Sequence, residues 1–110
     1  MHEIPDALVT YLPAISGWAD AQPQVGRVWL YGSRVRGSHL PDSDLDVAIG
    51  VARLLETDVE KEAFQVMLTT GSRELSAAIG LRVSVQSVAT PGVDVGVAEC
   101  GVLIYERSSD

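Results

Sequence analysis

Cysteine, aromatic residues and basic residues are all scarce in this 110-residue sequence. The single cysteine, Cys100, excludes an internal disulfide bond. Aromatic residues make up only 5% of the chain, so aliphatic side chains have to fill the core. There is no run of about 18 apolar residues, which argues against a transmembrane helix. Residues 1–6 are acidic and lack a long apolar stretch, so we expect no signal peptide and a cytoplasmic location.

The charge balance restricts the kinds of partner that this protein can bind. Eight Lys and Arg residues stand against fifteen Asp and Glu residues, which gives a formal net charge of −7. Broad binding to nucleic acid needs a basic face and is not expected here, although a small anion site is compatible with this charge. The charges are unevenly placed, because a basic cluster runs directly into an acidic one: Arg27, Arg34 and Arg36, then Asp42, Asp44 and Asp46.

The hydrophobic pattern predicts a single α/β (α+β) domain over residues 1–110, with helices packed on a small mixed sheet of three or four strands. Helices are predicted at residues 5–22, with a kink at Pro13, and at 53–79, with an interruption at residues 69–71. Strands are predicted at residues 27–31, 45–51, 81–88 and 102–105. A short helix begins after residue 32, and residues 90–101 form a loop or a further short helix.

A strand that runs into Gly32 and a short helix is suited to binding a phosphate. Glycine lets the backbone approach a ligand closely, and free amide groups at a helix start attract an anion. Ser33 can cap this helix and donate its hydroxyl. Arg34 and Arg36 can add charge-assisted hydrogen bonds, or they can serve as solvated side chains that support the loop.

Two carboxylates follow at a spacing that places them on one face of a strand. Residues at i and i+2 of a strand lie about 6.5–7 Å apart and point the same way, so Asp44 and Asp46 can reach a shared site. Oxygen ligands next to phosphate oxygens suit Mg²⁺ or the similar Mn²⁺. Asp42 has the same parity but follows Pro41 in a loop, so we expect it to act indirectly at most.

Together these residues resemble the signature of the minimal nucleotidyltransferases, which belong to the polymerase-beta-like nucleotidyltransferase superfamily. The resemblance rests on Gly32-Ser33-Arg34-Val35-Arg36-Gly37 followed by Ser43-Asp44-Leu45-Asp46-Val47. It covers residues 27–50 closely and extends more weakly to the third strand and to residues 101–106. The order and spacing of the combined motif are far more specific than an isolated Asp-x-Asp.

The resemblance implies a role for each matching position. Gly32 and Ser33 would hold the triphosphate of an NTP, with ATP as the expected nucleotide, and Arg34 and Arg36 would support the phosphates or the loop. Asp44 and Asp46 would ligate Mg²⁺ or Mn²⁺. The reaction would transfer a nucleoside monophosphate to an acceptor hydroxyl and release pyrophosphate.

The resemblance also implies a protein partner. In toxin–antitoxin pairs the small transferase is the antitoxin and a HEPN-domain protein is the toxin, to which AMP can be added. A chain of this size is expected to complete its acceptor site with such a partner or by self-association. Neither a membrane nor broad nucleic-acid binding is implied.

The sequence departs from the family pattern at the third carboxylate. The matching stretch is Val83-Ser84-Val85, in which Ser84 stands at the acidic position and Gln86 follows on the same face. Neither can serve as a carboxylate base, and general acid–base help is typically worth about 10²–10⁴ in rate. A degenerate domain that binds or neutralises a partner is therefore the alternative. An NTP sensor or an antibiotic-modifying enzyme is a weaker one, since the chain looks too short for drug recognition.

Other functional patterns are weaker still. Arg34 and His39 have the Arg-x4-His spacing of HEPN ribonucleases, but here that spacing spans a glycine-containing loop instead of one helix. Cys100 has no evident basic partner and is expected to be a buried small residue. Trp18 and Trp29 are expected to lie in the core.

Overall fold

The computed structural model describes residues 3–108, and its sheet positions the site. In chain order the elements are α1 (Asp6–Val9), α2 (Leu12–Asp20), β1 (Val25–Tyr31), α3 (Ser33–Arg36), β2 (Leu45–Val51), α4 (Asp58–Ile79), β3 (Val83–Ser87), α5 (Val93–Cys100) and β4 (Val102–Glu106). The strand order is β3-β2-β1-β4. β1 runs antiparallel to β2 and β4, whereas β3 runs parallel to β2. The predicted fold class, a small mixed sheet with helices, is confirmed.

The sheet has two unlike faces because side chains alternate along each strand. One face packs against α2 and α4 and forms the hydrophobic core together with Phe64, Leu68 and Leu75. We call it the helix-covered face, and its strand residues are Val28, Leu30, Leu45, Val47, Ile49, Val83 and Val85. We call the opposite side the polar face, and its residues include Arg27, Trp29, Tyr31, Asp46, Gly50, Ser84 and Gln86.

Serines of α4 hold the outer edge of β3. The backbone N–H of Val83 donates to Oγ of Ser76 at 2.8 Å, and that of Val85 donates to Oγ of Ser72 at 2.9 Å. These bonds satisfy donors that an edge strand otherwise presents to other chains. They also hold β3, and with it Ser84, in position along α4.

The helix predicted at residues 5–22 is two helices in the structure. α1 ends at Val9, and α2 begins at Leu12 with Pro13 in its first turn. Proline has no N–H and its ring collides with the preceding turn of an uninterrupted helix, but the first turn of a helix tolerates it. Pro13 therefore starts a new helix and does not kink a continuous one.

The helix predicted at residues 53–79 begins later, at Asp58. Thr57 and Glu60 form a capping box, in which the N–H of Glu60 donates to Oγ1 of Thr57 and the N–H of Thr57 donates to Oε1 of Glu60, both at 3.1 Å. The Thr-x-x-Glu spacing that marks this start was visible in the sequence. The end at Gly80 is confirmed, with φ +78° and its N–H bonded to the carbonyl of Ser76.

The interruption predicted at residues 69–71 does not occur, because Gly71 serves a packing role inside α4. A Cβ at Gly71 would collide with Cζ2 of Trp18, so glycine allows α2 to approach α4 closely. Trp18 packs against the core as expected. Trp29 does not: it lies on the polar face, where its ring covers Gly50.

Residues 93–100 form a helix, and Arg107 fixes the chain beyond β4. Its Nη2 donates to the carbonyls of Ala19 and Asp20 at 3.1 Å and Gln22 at 3.0 Å, where α2 ends. Its Nε donates to the carbonyl of Val25 at 2.8 Å. The guanidinium of Arg107 therefore serves to hold the end of the chain against α2 and β1.

Among residues 3–108, the helices are too short or too polar to cross a membrane.

Candidate functional site

The predicted site residues meet at one end of the sheet. β1 ends at Tyr31, which pairs with Asp46 near the start of the antiparallel β2. The parallel β3 begins beside it, with Ser84 paired with Asp46. Because these three strand ends coincide, the turn after β1 and the acids of β2 face a common space.

Gly32 makes the turn from β1 into α3, and its conformation needs glycine. Its φ of +83° and ψ of −163° lie in a region that is essentially restricted to glycine. A Cβ on Gly32 would also collide with the carboxylate oxygen Oδ2 of Asp46. The turn therefore brings backbone without a side chain against the carboxylate of Asp46.

Ser33 differs from its predicted capping role. Gly32 occupies the N-cap of α3 and Ser33 is the first helical residue, because the positive φ of Gly32 turns the chain one residue earlier. The carbonyl of Gly32 accepts from the N–H of Val35 at 3.2 Å and of Arg36 at 3.1 Å. The first amides of this single helical turn have no intrahelical partner, so they suit an anion.

The two arginines of α3 have different surroundings. Arg34 donates through Nε to the carbonyl of Ser43 at 2.9 Å and through Nη2 to that of Pro41 at 3.1 Å. It therefore supports the loop that leads to the acids. Arg36 is exposed, and its charge partly opposes the rise in the pKa of Asp46 that burial and the charge of Asp44 cause. Of the two, Arg36 is the one that can meet an incoming phosphate.

Asp46 is the more enclosed of the two carboxylates. Burial, followed by the charge of Asp44, raises its pKa above the ordinary aspartate value despite the opposing effect of Arg36. Tyr31, its partner across the strands, has its own pKa raised to about 12 by burial and by the charge of Asp46. The ring of Tyr31 packs against α5 at Gly96, where a Cβ would lie 3.0 Å from the ring. Asp46 is thus partly desolvated, which strengthens its interaction with a cation.

Asp44 lies just before β2 and is held by Arg82. Nε of Arg82 donates to Oδ1 of Asp44, and Nη2 of Arg82 donates to the backbone carbonyl of Asp42 at 3.1 Å. The side chain of Asp44 is 38% exposed and that of Arg82 is 71% exposed. Asp42 contributes only its backbone carbonyl to this contact, and the residue lies in the exposed loop.

Ser84 and Gln86 occupy the strand beside the acids. Ser84 is the register partner of Asp46, and Nε2 of Gln86 donates to Oγ of Ser84 at 3.3 Å. A carboxylate at this position would stand next to Asp46 on the same face. Ser84 presents a neutral hydroxyl there instead.

Sequence reasoning missed two residues that shape the site. Arg82 reaches Asp44 only because β3 pairs in parallel with β2, and no local pattern reveals that pairing. Cys100 is buried as expected, and its Sγ accepts from the N–H of Gly32 at 3.3 Å and donates to the carbonyl of Gly96 at 3.4 Å. Cys100 lies 68 positions from Gly32 in sequence, and no sequence pattern indicated this contact.

The donor set fits Mg²⁺ better than a metal held by protein ligands alone. Within residues 3–108, no cluster of three or more His, Cys, Asp or Glu side chains is placed to hold a metal ion. Mg²⁺ commonly binds one or two carboxylates and fills its other positions with water and substrate phosphates. Asp44 and Asp46 beside the glycine turn supply that arrangement.

The comparison with protein families gives a match over most of the chain. The profile of the family described as "Polymerase beta, Nucleotidyltransferase" matches residues 14–110, which include every candidate site residue. Among curated protein sequences, none matches significantly.

Three of the solved structures that share this fold are toxin–antitoxin structures. A toxin–antitoxin structure with AMP-PNP is similar at a TM-score of 0.63 and 17% identity, over 90% of this chain and 73% of that chain. A complex of tri-AMPylated Shewanella oneidensis HEPN toxin with MNT antitoxin gives 0.60 and 17%, over 89% and 71%. The MntA–HepT toxin–antitoxin structure gives 0.61 and 16%, over 89% and 72%. At these identities the likeness establishes the fold.

Proposed function

Because this chain belongs to the polymerase beta nucleotidyltransferase family, we propose that it transfers a nucleoside monophosphate from a metal-bound NTP to an acceptor hydroxyl. The observation that carries the proposal is the contact of the Gly32 turn with Asp46 at one end of the sheet, where the charge of Asp44 also acts on Asp46. In this proposal the chain acts as a single nucleotidyltransferase domain of the cytoplasm.

The proposed roles follow from the contacts of each residue. The backbone at Gly32 and Ser33 binds the triphosphate, and Arg36 adds a charge beside it. Arg34 positions the loop through the carbonyls of Pro41 and Ser43. Asp44 and Asp46 hold Mg²⁺ or Mn²⁺, which would neutralise phosphate charge and polarise the α-phosphate.

The transfer itself exchanges one phosphorus–oxygen bond for another. The acceptor hydroxyl oxygen forms a bond to the α-phosphorus, the bond from that phosphorus to the bridging oxygen breaks, and pyrophosphate leaves. The hydroxyl proton passes to solvent. Ser84 offers no carboxylate to accept this proton. We therefore expect the transfer to be slower than in an enzyme with such a base, by the roughly 10²–10⁴-fold that general base catalysis typically supplies.

We propose ATP as the nucleotide and a HEPN-type protein as the acceptor. Support comes from the similar structures, one with AMP-PNP and one with an AMPylated HEPN toxin bound to an MNT antitoxin. The net charge of −7 also argues against broad nucleic-acid binding.

A calorimetric titration of ATP into the protein tests the site directly. We expect heat of binding with Mg²⁺, its loss with EDTA, and its loss in the double variant Asp44→Asn/Asp46→Asn. The control variant Asp42→Asn/Asp58→Asn changes the charge equally at exposed positions outside the site and should bind like wild type. Binding that persists unchanged in the Asp44/Asp46 variant would refute the proposed site.

A second candidate function is a catalytically degenerate module that binds or neutralises its partner, and the neutral Ser84 beside Asp46 favours it. Mass spectrometry of a co-purified partner separates the two. An increase of one or more AMP units after incubation with Mg²⁺–ATP supports transfer. An unchanged mass, together with neutralisation that survives in the Asp44→Asn/Asp46→Asn variant, supports the degenerate module.

A further inference from the structure

Arg82 lies outside the sequence motif, but its side chain contacts Asp44, one of the two proposed metal ligands. It immediately precedes β3, and its backbone carbonyl accepts from the N–H of Leu45 at 2.9 Å. This pairing places Arg82 beside Asp44, to whose carboxylate its Nε donates. The guanidinium of Arg82 is thus already bonded to the carboxylate that, in the proposed function, binds a divalent cation.

The loop that carries Asp44 has a second, independent anchor. Arg34 bonds the carbonyls of Pro41 and Ser43, whereas Arg82 bonds the carbonyl of Asp42. Two of the three backbone anchors therefore stay in place when Arg82 is replaced. The main effect of Arg82 on Asp44 is consequently its charge, and support of the loop is the smaller effect.

The local charges show what that guanidinium does to a cation site. Asp44 and Asp46 supply two negative charges, and Arg36 and Arg82 supply two positive charges beside them, so the cluster is formally neutral. A third carboxylate would make the site net negative, but Ser84 stands there. The site consequently attracts a divalent cation weakly as long as Arg82 remains in contact.

We propose that Arg82 lowers the metal affinity of this site: it serves as the internal counter-ion of Asp44, and a divalent cation has to displace it. The inference rests on the proposed function, because it takes Asp44 as a metal ligand. The contact is mostly exposed, with 71% of the Arg82 side chain accessible, and exposed ion pairs are weak enough for a metal ion to break.

Mn²⁺ binding measured by electron paramagnetic resonance of the free ion tests this without any activity assay. We expect Arg82→Gln to bind Mn²⁺ roughly two- to fivefold more tightly than wild type, the ratio that corresponds to losing an exposed ion pair. Arg82→Lys keeps the charge and should bind like wild type. Equal affinity of Arg82→Gln and wild type, or tighter binding by Arg82→Lys as well, would overturn the proposal.

Arg27→Gln is the matched control. Arg27 also forms an exposed ion pair on the sheet, from Nε to Oε2 of Glu106 at 2.7 Å, with its side chain 58% exposed. It lies near the start of β1, whereas the site lies at the end of that strand. If Arg27→Gln tightens Mn²⁺ binding as much as Arg82→Gln, net charge alone is responsible and the role of Arg82 is refuted.

Variants of Asp46 separate the role of Arg82 from metal binding by the site as a whole. Mn²⁺ binding that depends on Asp46 but is indifferent to Arg82 contradicts only the inference, whereas absence of Asp46-dependent binding in both wild type and Arg82→Gln contradicts both. If Arg82→Gln does not fold, the nitrogen-15 signal of Nε of Arg82 in wild type replaces it. That signal should shift as Mg²⁺ is added, and an unchanged signal at saturation overturns the proposal.

Discussion

The two faces of the sheet differ in role: one forms the hydrophobic core, and the other carries the candidate site. On the helix-covered face, Leu30, Val47 and Ile49 are fully buried against the helices. On the polar face, the neighbouring positions of the same strands carry Tyr31, Asp46 and their surroundings. A shift of one residue along β2 therefore changes a side chain from one that stabilises the fold to one that is available for chemistry.

The polar face contains features that lower stability. Asp46 is a partly buried carboxylate with a raised pKa, and Gly32 has a backbone conformation that other residues avoid. Neither feature helps the chain to fold. The apolar side chains of the other face offset both.

The largest expected effect is on the helix-covered face. Ile49→Ala removes a fully buried side chain and should lower the free energy of unfolding by about 2–5 kcal/mol. Gln86→Ala, an exposed position of the polar face on the adjoining strand, should change it by about 0.5 kcal/mol or less. Denaturant unfolding measures both, and similar losses at the two positions would break the comparison between the faces.

An intermediate effect is expected at the glycine turn. Gly32→Ala should cost about 2–3 kcal/mol of stability and abolish Mg²⁺–ATP binding, because its Cβ meets the carboxylate of Asp46. Gly37→Ala is the matched control: its φ is also positive, at +79°, but a Cβ there meets nothing within 4 Å. It should cost about 1 kcal/mol and leave nucleotide binding intact. Equal losses of binding would show that backbone strain, and not the contact with Asp46, matters.

The smallest expected effect has the opposite sign and depends on pH. Because the folded-state pKa of Asp46 is raised, its contribution to stability is full below the unfolded-state pKa and is lost as the pH rises through the folded-state value. Asp46→Asn removes that loss, so its stability relative to wild type should increase from about pH 3 to pH 7.

Thermal unfolding across this pH range measures the difference. Asp42→Asn controls for net charge at an exposed position of the adjoining loop. A pH-independent difference for Asp46→Asn, or one that decreases towards neutral pH, would contradict the partly buried charge.

Most of the fold could be predicted because its signals are local. Alternation along residues 81–88 and the apolar runs at 27–31 and 45–51 gave the strands, and the structure has them at β3, β1 and β2. Two of the errors lie at helix starts, where one residue decides the boundary, and two others, at Gly71 and Trp29, depend on packing between elements that are distant in sequence. Pro13 began a helix that was expected to continue, and the cap formed by Thr57 and Glu60 was visible but not used.

The candidate site was predictable only where its residues are close in sequence. The glycine turn and the two acids stand within fifteen positions, Gly32 to Asp46, so their spacing could be read directly. The contacts of Arg82 with Asp44 and of Cys100 with Gly32 join segments 38 and 68 residues apart. No periodicity in either segment specifies such a partner.

Residue type and spacing alone identify the candidate residues for a phosphate and cation site, and they also show which faces of the strands are apolar. The charge of the site depends on contacts that form only in the folded protein. The parallel pairing of β3 with β2 brings Arg82 to Asp44 and the neutral Ser84 to Asp46. The last helix, α5, brings Cys100 against Gly32. Electrostatic interactions depend on distance and burial, and neither is defined until the strands have paired.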